Sequence, residues 1–282
     1  MFISRKPSAL LLFACLYLEL TSCAKSPRIM SWAEYSRHSY TWPYLVNIYT
    51  PDGGSLLYFG ARHSNNPNDP QFLDIEYWWT QFKPDIALNE GGNPPVLKTR
   101  DEAISKAGEP GLVRFLAARD KIPVRSLDPS RSEQVAVLRK KYSAEQIKMS
   151  FILGQMTEYG RIIGGEESPE DHLKKTIDVL NSEPGLDVEP KSISELESVF
   201  RRICPEQGSY KNAKPSWFDP NIRGNPFNAI SRDNNDFRDR YMLDLVTHTV
   251  REKKRVFAVV GASHVVMQED AIREILKEKR TK

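Results

Sequence analysis

The chain has 282 residues, 40% hydrophobic and 27% charged, with a net charge of +3 at neutral pH. That is an ordinary globular balance, with material for one large core or two lobes. Acidic and basic residues are interspersed, so no basic stripe marks a nucleic-acid partner.

The N-terminus reads as a targeting segment. Arg5 and Lys6 form a basic region, Ala9 to Leu18 an apolar one, and Leu20-Thr21-Ser22-Cys23 follows. That tetrapeptide resembles the lipobox of bacterial lipoproteins, in which the cysteine is acylated and becomes the mature N-terminus. The apolar stretch is short for a bilayer span. A lipoprotein signal over 1–22 is therefore expected, with a lipid on Cys23 and a place in the bacterial cell envelope. Ala24, rather than aspartate, points to the outer membrane in a Gram-negative cell. Of the three cysteines, only Cys204 then lacks a fate. It has no partner for an internal disulfide and is expected as a buried, inert thiol.

Residues 23–43 read as a tether carrying Trp32 and Tyr35, and 44–282 as a single domain. Tyr44 to Tyr49 and Ser55 to Phe59 read as strands joined by the turn Pro51-Asp52-Gly53-Gly54, a β-hairpin. Asp69-Pro70 starts a helix through Phe72, Ile75, Trp79 and Phe82. A strand is predicted over Pro84 to Glu90, a helix from Gly111 to Asp120, and a strand from Ile122 to Asp128. Alternating strands and helices predict an α/β fold with a mixed, mostly parallel central sheet flanked by helices. From about 130 to 225 the pattern is helical and polar, with helices at Ser132–Tyr142, Ser143–Gly160, Pro169–Asn181 and Ser192–Cys204. It reads as an insertion or cap over the strand ends. Gly208 to Pro226 reads as loop. A long helix near Asp233–Lys253, a strand at Arg255–Val260 and a helix near Gln268–Lys279 complete the chain.

Two strand ends carry the same short string: Gly60-Ala61-Arg62-His63 and Gly261-Ala262-Ser263-His264. A glycine lets the backbone turn and approach a ligand closely. A histidine three residues on can enter the crevice at that sheet edge, where open α/β folds bind ligands. Glu90 ends another strand before Gly91-Gly92 and faces the same crevice if the strands are parallel neighbours. His63, Glu90 and His264 are the candidate catalytic residues. Taken singly, each histidine reads as a loop cap and Glu90 as a solvated turn residue; the repetition argues for a site. Two imidazoles and a carboxylate can hold a catalytic divalent metal with positions open for water. The same set can do acid–base work without one. Arg238, in Arg238-Asp239-x-x-Met242 of the long helix, is a fourth candidate as an oxyanion or carboxylate clamp; a surface ion-pair ladder explains it equally well. Arg62, Asn65, Asn66, Asp69 and Asp128 read as loop or capping residues, and His248 as structural.

Together, Gly60-x-x-His63, Asn89-Glu90-Gly91-Gly92, Arg238-Asp239-x-x-Met242 and Gly261-Ala262-Ser263-His264 resemble the TraB/Tiki-like families of the erythromycin esterase/ChaN-like superfamily, over about residues 45 to 275. The resemblance implies a metal-dependent protease or an esterase working through histidine and glutamate, with manganese or cobalt as the metal. It also implies an alternative, a haem- or iron-binding lipoprotein of the ChaN type. Ala61 and Arg62 depart from the residues many relatives carry in the first string, and 130–225 aligns with no motif. The expected partners are a membrane, through the lipid on Cys23, a peptide or small-molecule substrate, and a second copy of the chain as a homodimer.

Overall fold

A computed structural model describes residues 27–162 and 168–277. The signal segment and Cys23 lie outside the described residues, and within these no helix is long and apolar enough to cross a membrane. In chain order the elements are α1 (Trp32–Tyr35), β1 (Tyr44–Tyr49), β2 (Ser55–Ala61), α2 (Pro70–Phe82), β3 (Ile86–Asn89), α3 (Arg100–Asp120), β4 (Val124–Ser126), α4 (Arg131–Leu138), α5 (Ala144–Ile162), α6 (Pro169–Asn181), α7 (Leu196–Ile203), α8 (Pro226–Arg251), β5 (Arg255–Gly261) and α9 (Ala262–Ile275).

The sheet has the order β1-β2-β5-β3-β4. β1 runs antiparallel to β2, while β2, β5, β3 and β4 are mutually parallel. The fold is thus α/β with a mixed, mostly parallel sheet. Side chains alternate along each strand. Leu57 and Phe59 of β2 and Phe257 of β5 face α2 and α3, packing on Phe72, Ile75, Trp79 and Leu116. Leu56, Tyr58, Val256 and Ala258 face α8 and α9, packing on Met242, Val246, Val265 and Ile272. Because both faces are covered, β2 and β3 are buried throughout rather than alternating.

β5, the last strand in the chain, is inserted between β2 and β3. Ala61 pairs with Gly261, and Asn89 with Val259, so three strands end side by side at the carboxyl edge. Helix starts follow local signals. Asp69 caps α2 with Pro70 at its first turn, Ser130 and Glu133 form a capping box on α4, and Asn225 caps α8 ahead of Pro226.

A second hydrophobic core is built from the helical stretch after β4, with Leu138, Ile152, Leu180, Phe200 and Trp217 at its heart. Cys204 is buried in it, and burial pushes its thiol pKa up to about 11, in keeping with an inert group. α8 serves both cores. Its early residues Phe227 and Ile230 belong to the helical core, and Met242, Val246 and Val250 belong to the sheet core. Arg238 and Asp239 lie between.

Several boundaries differ from the sequence reading. α3 begins at Arg100, not Gly111, because the breakers Gly108 and Pro110 kink it rather than delay it: Gly108 has φ 59° and ψ −137°. α8 begins at Pro226, not Asp233. α9 begins at Ala262, not Gln268, so His264 lies in its first turn rather than in a corner. Residues 193–195, 210–212 and 215–217 form short 3-10 turns. Part of the stretch read as a tether packs on the domain. Met30 N–H donates to Met267 O at 2.9 Å, and the Trp32 ring stands edge-on to His264 with centroids 6.3 Å apart.

Candidate active site

Glu90 follows β3, and its backbone N–H still bonds to Val259 O of β5 at 3.0 Å. That bond turns the side chain toward the start of α9. There its Oε2 accepts the Gly261 N–H at 2.7 Å. Gly261 is the N-cap position of α9 and offers no side-chain cap of its own. The carboxylate supplies the negative charge that a helix N-terminus favours.

Around Glu90 a set of charges closes. Arg238 Nη2 donates to Glu90 Oε1 at 2.6 Å and to Asp128 Oδ1 at 2.7 Å, and its Nε donates to the same Asp128 oxygen at 3.0 Å. Asp128 Oδ2 in turn accepts the Gly91 N–H at 2.6 Å. His264 Nε2 lies 3.4 Å from Glu90 Oε1, and its Nδ1 is 2.7 Å from Asp239 Oδ1. Asp239 is 1% exposed and also accepts from Gln268 Nε2 at 2.7 Å. Gln268 Oε1 accepts the Tyr58 hydroxyl at 3.1 Å. One buried chain of hydrogen bonds and ion pairs therefore runs from Tyr58 to Gly91.

The electrostatics follow from this packing. Burial opposes ionisation of Glu90, but His264, Arg238 and His63 outweigh it and hold the carboxyl well below its usual range. Burial likewise opposes charge on His264, yet Glu90 and Asp239 prevail and push its pKa up to about 10. At neutral pH the cluster is a carboxylate held between an imidazolium and a guanidinium.

His63 has a different setting. It lies in the loop after β2, with its side chain 45% exposed against 5% for His264. Its ring lies against Gly261. A Cβ there would sit 2.9 Å from His63 Nε2 and 3.4 Å from Glu90 Oε2, so the missing side chain makes room for both groups. His63 Nδ1 is 3.7 Å from Oε2 of Glu109, a buried residue of α3.

Part of this network borders a cavity of about 590 Å³, within the range of small-molecule sites. Its lining includes His63, Glu90, Glu109, Asp128 and Arg238, and Gln155 of α5 reaches it from the helical core. The structure thus gathers His63, Glu90, His264 and Arg238 at one end of the sheet. Arg238 belongs to this network rather than to a surface ladder, and Asp128 holds it in place. Asp239 and Glu109 were not singled out from sequence. Asp239 had a usable signal, since it shares the Arg238 helix and lies one turn before Met242. Glu109 sits in Gly108-Glu109-Pro110-Gly111, which reads as a turn.

The groups expected to hold a metal are engaged with one another. Glu90 Oε1 is occupied by Arg238 and His264 and Oε2 by the Gly261 amide. Among the described residues no three His, Cys, Asp or Glu side chains form a group that could hold an ion. The arrangement is suited to proton transfer and charge stabilisation. Compared with known proteins, the chain matches no family model, no curated protein and no solved structure.

Proposed function

We propose that the chain is an envelope-anchored hydrolase that splits an ester or peptide bond with water activated at His63. One observation carries this reading: Glu90 and Arg238, which are paired with each other and backed by His264, line a cavity that His63 also lines. A carboxylate held so firmly ionised is a weak base, and an imidazolium with a pKa near 10 is no base at neutral pH. We assign the base to His63, the half-exposed imidazole on that cavity. Its Nε2 takes a proton from water as the water oxygen attacks the carbonyl carbon. The negative charge of Glu90 favours the imidazolium that forms. Arg238 faces the negative charge that grows on the carbonyl oxygen, and collapse expels the alcohol or amine, which takes the proton back from His63. Proton transfer of this kind contributes about 10²–10⁴-fold, and one oxyanion donor about 10²–10³-fold.

The resemblance of the four strings to the erythromycin esterase/ChaN-like superfamily supports the reaction class, and Leu20-Thr21-Ser22-Cys23 supports the envelope anchor. The metal-dependent form of the proposal requires Arg238 to release Glu90 and His264 to lose its proton. The test is turnover of p-nitrophenyl esters of graded acyl length and of a mixed peptide library, with metal analysis of the same protein. Turnover that survives chelation and falls at least about 100-fold in His63→Ala is expected. Turnover abolished by chelator, with one ion bound per chain, would replace the proton mechanism by the metal one. No turnover of either class would remove the hydrolase.

A further inference from the structure

We infer that Glu109 is a positioning residue that fixes the ring proton of His63 on Nδ1 and so presents Nε2 as the lone pair. The inference concerns the geometry of His63, and only its kinetic arm rests on the hydrolase reading. Gly108 carries the positive φ that lets α3 kink, and a Cβ there would fall 2.7 Å from Ser64 O. The kink therefore presses this turn of α3 against the loop that bears His63 and delivers the next residue, Glu109, to the Nδ1 side of the ring.

Once there, the carboxylate is not symmetric. Its Oε1 accepts the Ser64 N–H at 2.8 Å and the Gln71 Nε2–H at 3.0 Å. Gln71, 1% exposed, is itself fixed, because it accepts from Arg62 N and donates to Arg62 O, each at 3.0 Å. Two donors thus require an oxygen at Oε1, and Oε2 remains toward His63 Nδ1. A carboxylate only accepts, so the facing ring nitrogen carries the hydrogen. The 3.7 Å separation is longer than a formed hydrogen bond. Bonds that orient a base are often long before substrate arrives and tighten in the complex. The same lock predicts what an isosteric amide does. In Glu109→Gln the amide oxygen must take the Oε1 place, so the amide nitrogen faces Nδ1 and donates to it. The ring proton is driven to Nε2, the atom that must accept.

The experiment is nitrogen-15 NMR of the imidazole ring in the folded protein, on wild type, Glu109→Gln and Glu109→Ala, with p-nitrophenyl acetate turnover measured alongside. Neutral His63 is expected as the Nδ1–H form in wild type and the Nε2–H form in Glu109→Gln, with a mixture in Glu109→Ala. Turnover is expected to fall at least about 100-fold in the isosteric variant, as when an orienting carboxylate is replaced by its amide elsewhere. An Nε2–H ring in the wild type, or the same form in wild type and Glu109→Gln, would overturn the assignment whatever the activity. A wild type that turns over no ester would instead strike the hydrolase and leave the ring result standing.

Discussion

The two Gly-x-x-His strings look alike and do unlike work. In the first, Gly60 lies inside β2 opposite Val260, and its missing side chain lets α9 begin close by: a Cβ would come within 2.9 Å of the Ala262 Cα. His63 is then carried into a half-exposed loop. In the second, Gly261 ends β5 and starts α9 at once, and His264 is buried in the first turn between two carboxylates. One glycine admits a helix and the other admits its counterpart's imidazole. Spacing told where the histidines would be. Burial and charge make one a fixed cation and leave the other half-exposed at the cavity.

The sharpest break in that comparison is the pair of alanine variants. His264→Ala leaves Asp239 and Glu90 with less compensation in a buried site, and removal of one partner from such a pair costs about 3–5 kcal/mol. His63→Ala removes a half-exposed side chain and is expected to change stability by only about 0.5 kcal/mol while removing turnover. Urea denaturation of both variants checks the contrast; equal losses of stability would erase it.

A smaller effect is the pH dependence of the buried His264–Glu90 pair. The pKa of His264 is raised on folding, so its contribution is complete below the ordinary imidazole value of 6.5 and is lost as pH rises through about 10. That of Glu90 is lowered, so its contribution is complete above the usual 4.5 and is lost as pH falls through the depressed value. Stability from this cluster is therefore greatest between about 4.5 and 6.5 and declines along an alkaline limb. Denaturation midpoints from pH 5 to 10 test this, and the His264 ring should keep both protons at pH 8. An alkaline limb that persists unchanged in His264→Ala would assign it to other groups.

The mildest change is Gly261→Ala. The added methyl meets the tip of the His63 ring at 2.9 Å, and that ring can swing away. Thermal stability is expected to stay within about 0.5 kcal/mol of wild type, while turnover falls because His63 no longer sits beside Glu90. Crystallography or NMR of the variant should find the ring displaced; an unmoved ring with full turnover would show that the close approach has no bearing on the reaction.

Much of the frame was legible. The hairpin Tyr44–Ala61 follows from two apolar runs around Pro51-Asp52-Gly53-Gly54, and α6 spans Pro169–Asn181 as expected. The convergence of β2, β3 and β5 followed from parallel strands sharing a carboxyl edge. What stayed hidden depended on three-dimensional detail. Breakers at Gly108 and Pro110 concealed the first half of α3 and the buried role of Glu109 with it. The early start of α9 was masked because its N-terminus is capped from afar by Glu90 rather than by a Ser or Asp of its own. Asp239 reads as one more charge on a charged helix until Gln268 and His264 close on it.

α8 joins two hydrophobic interiors as a single rigid shaft, gripped at Phe227 and Ile230 by one and at Met242 and Val246 by the other. Its pitch sets the rotational phase between them. One residue inserted midway would turn one grip about 100° against the other and advance it about 1.5 Å. Both interiors could not then be satisfied, and the guanidinium of Arg238 would be swung off its two carboxylates. The reading frame of that helix is in this sense as fixed as the identity of any residue on it.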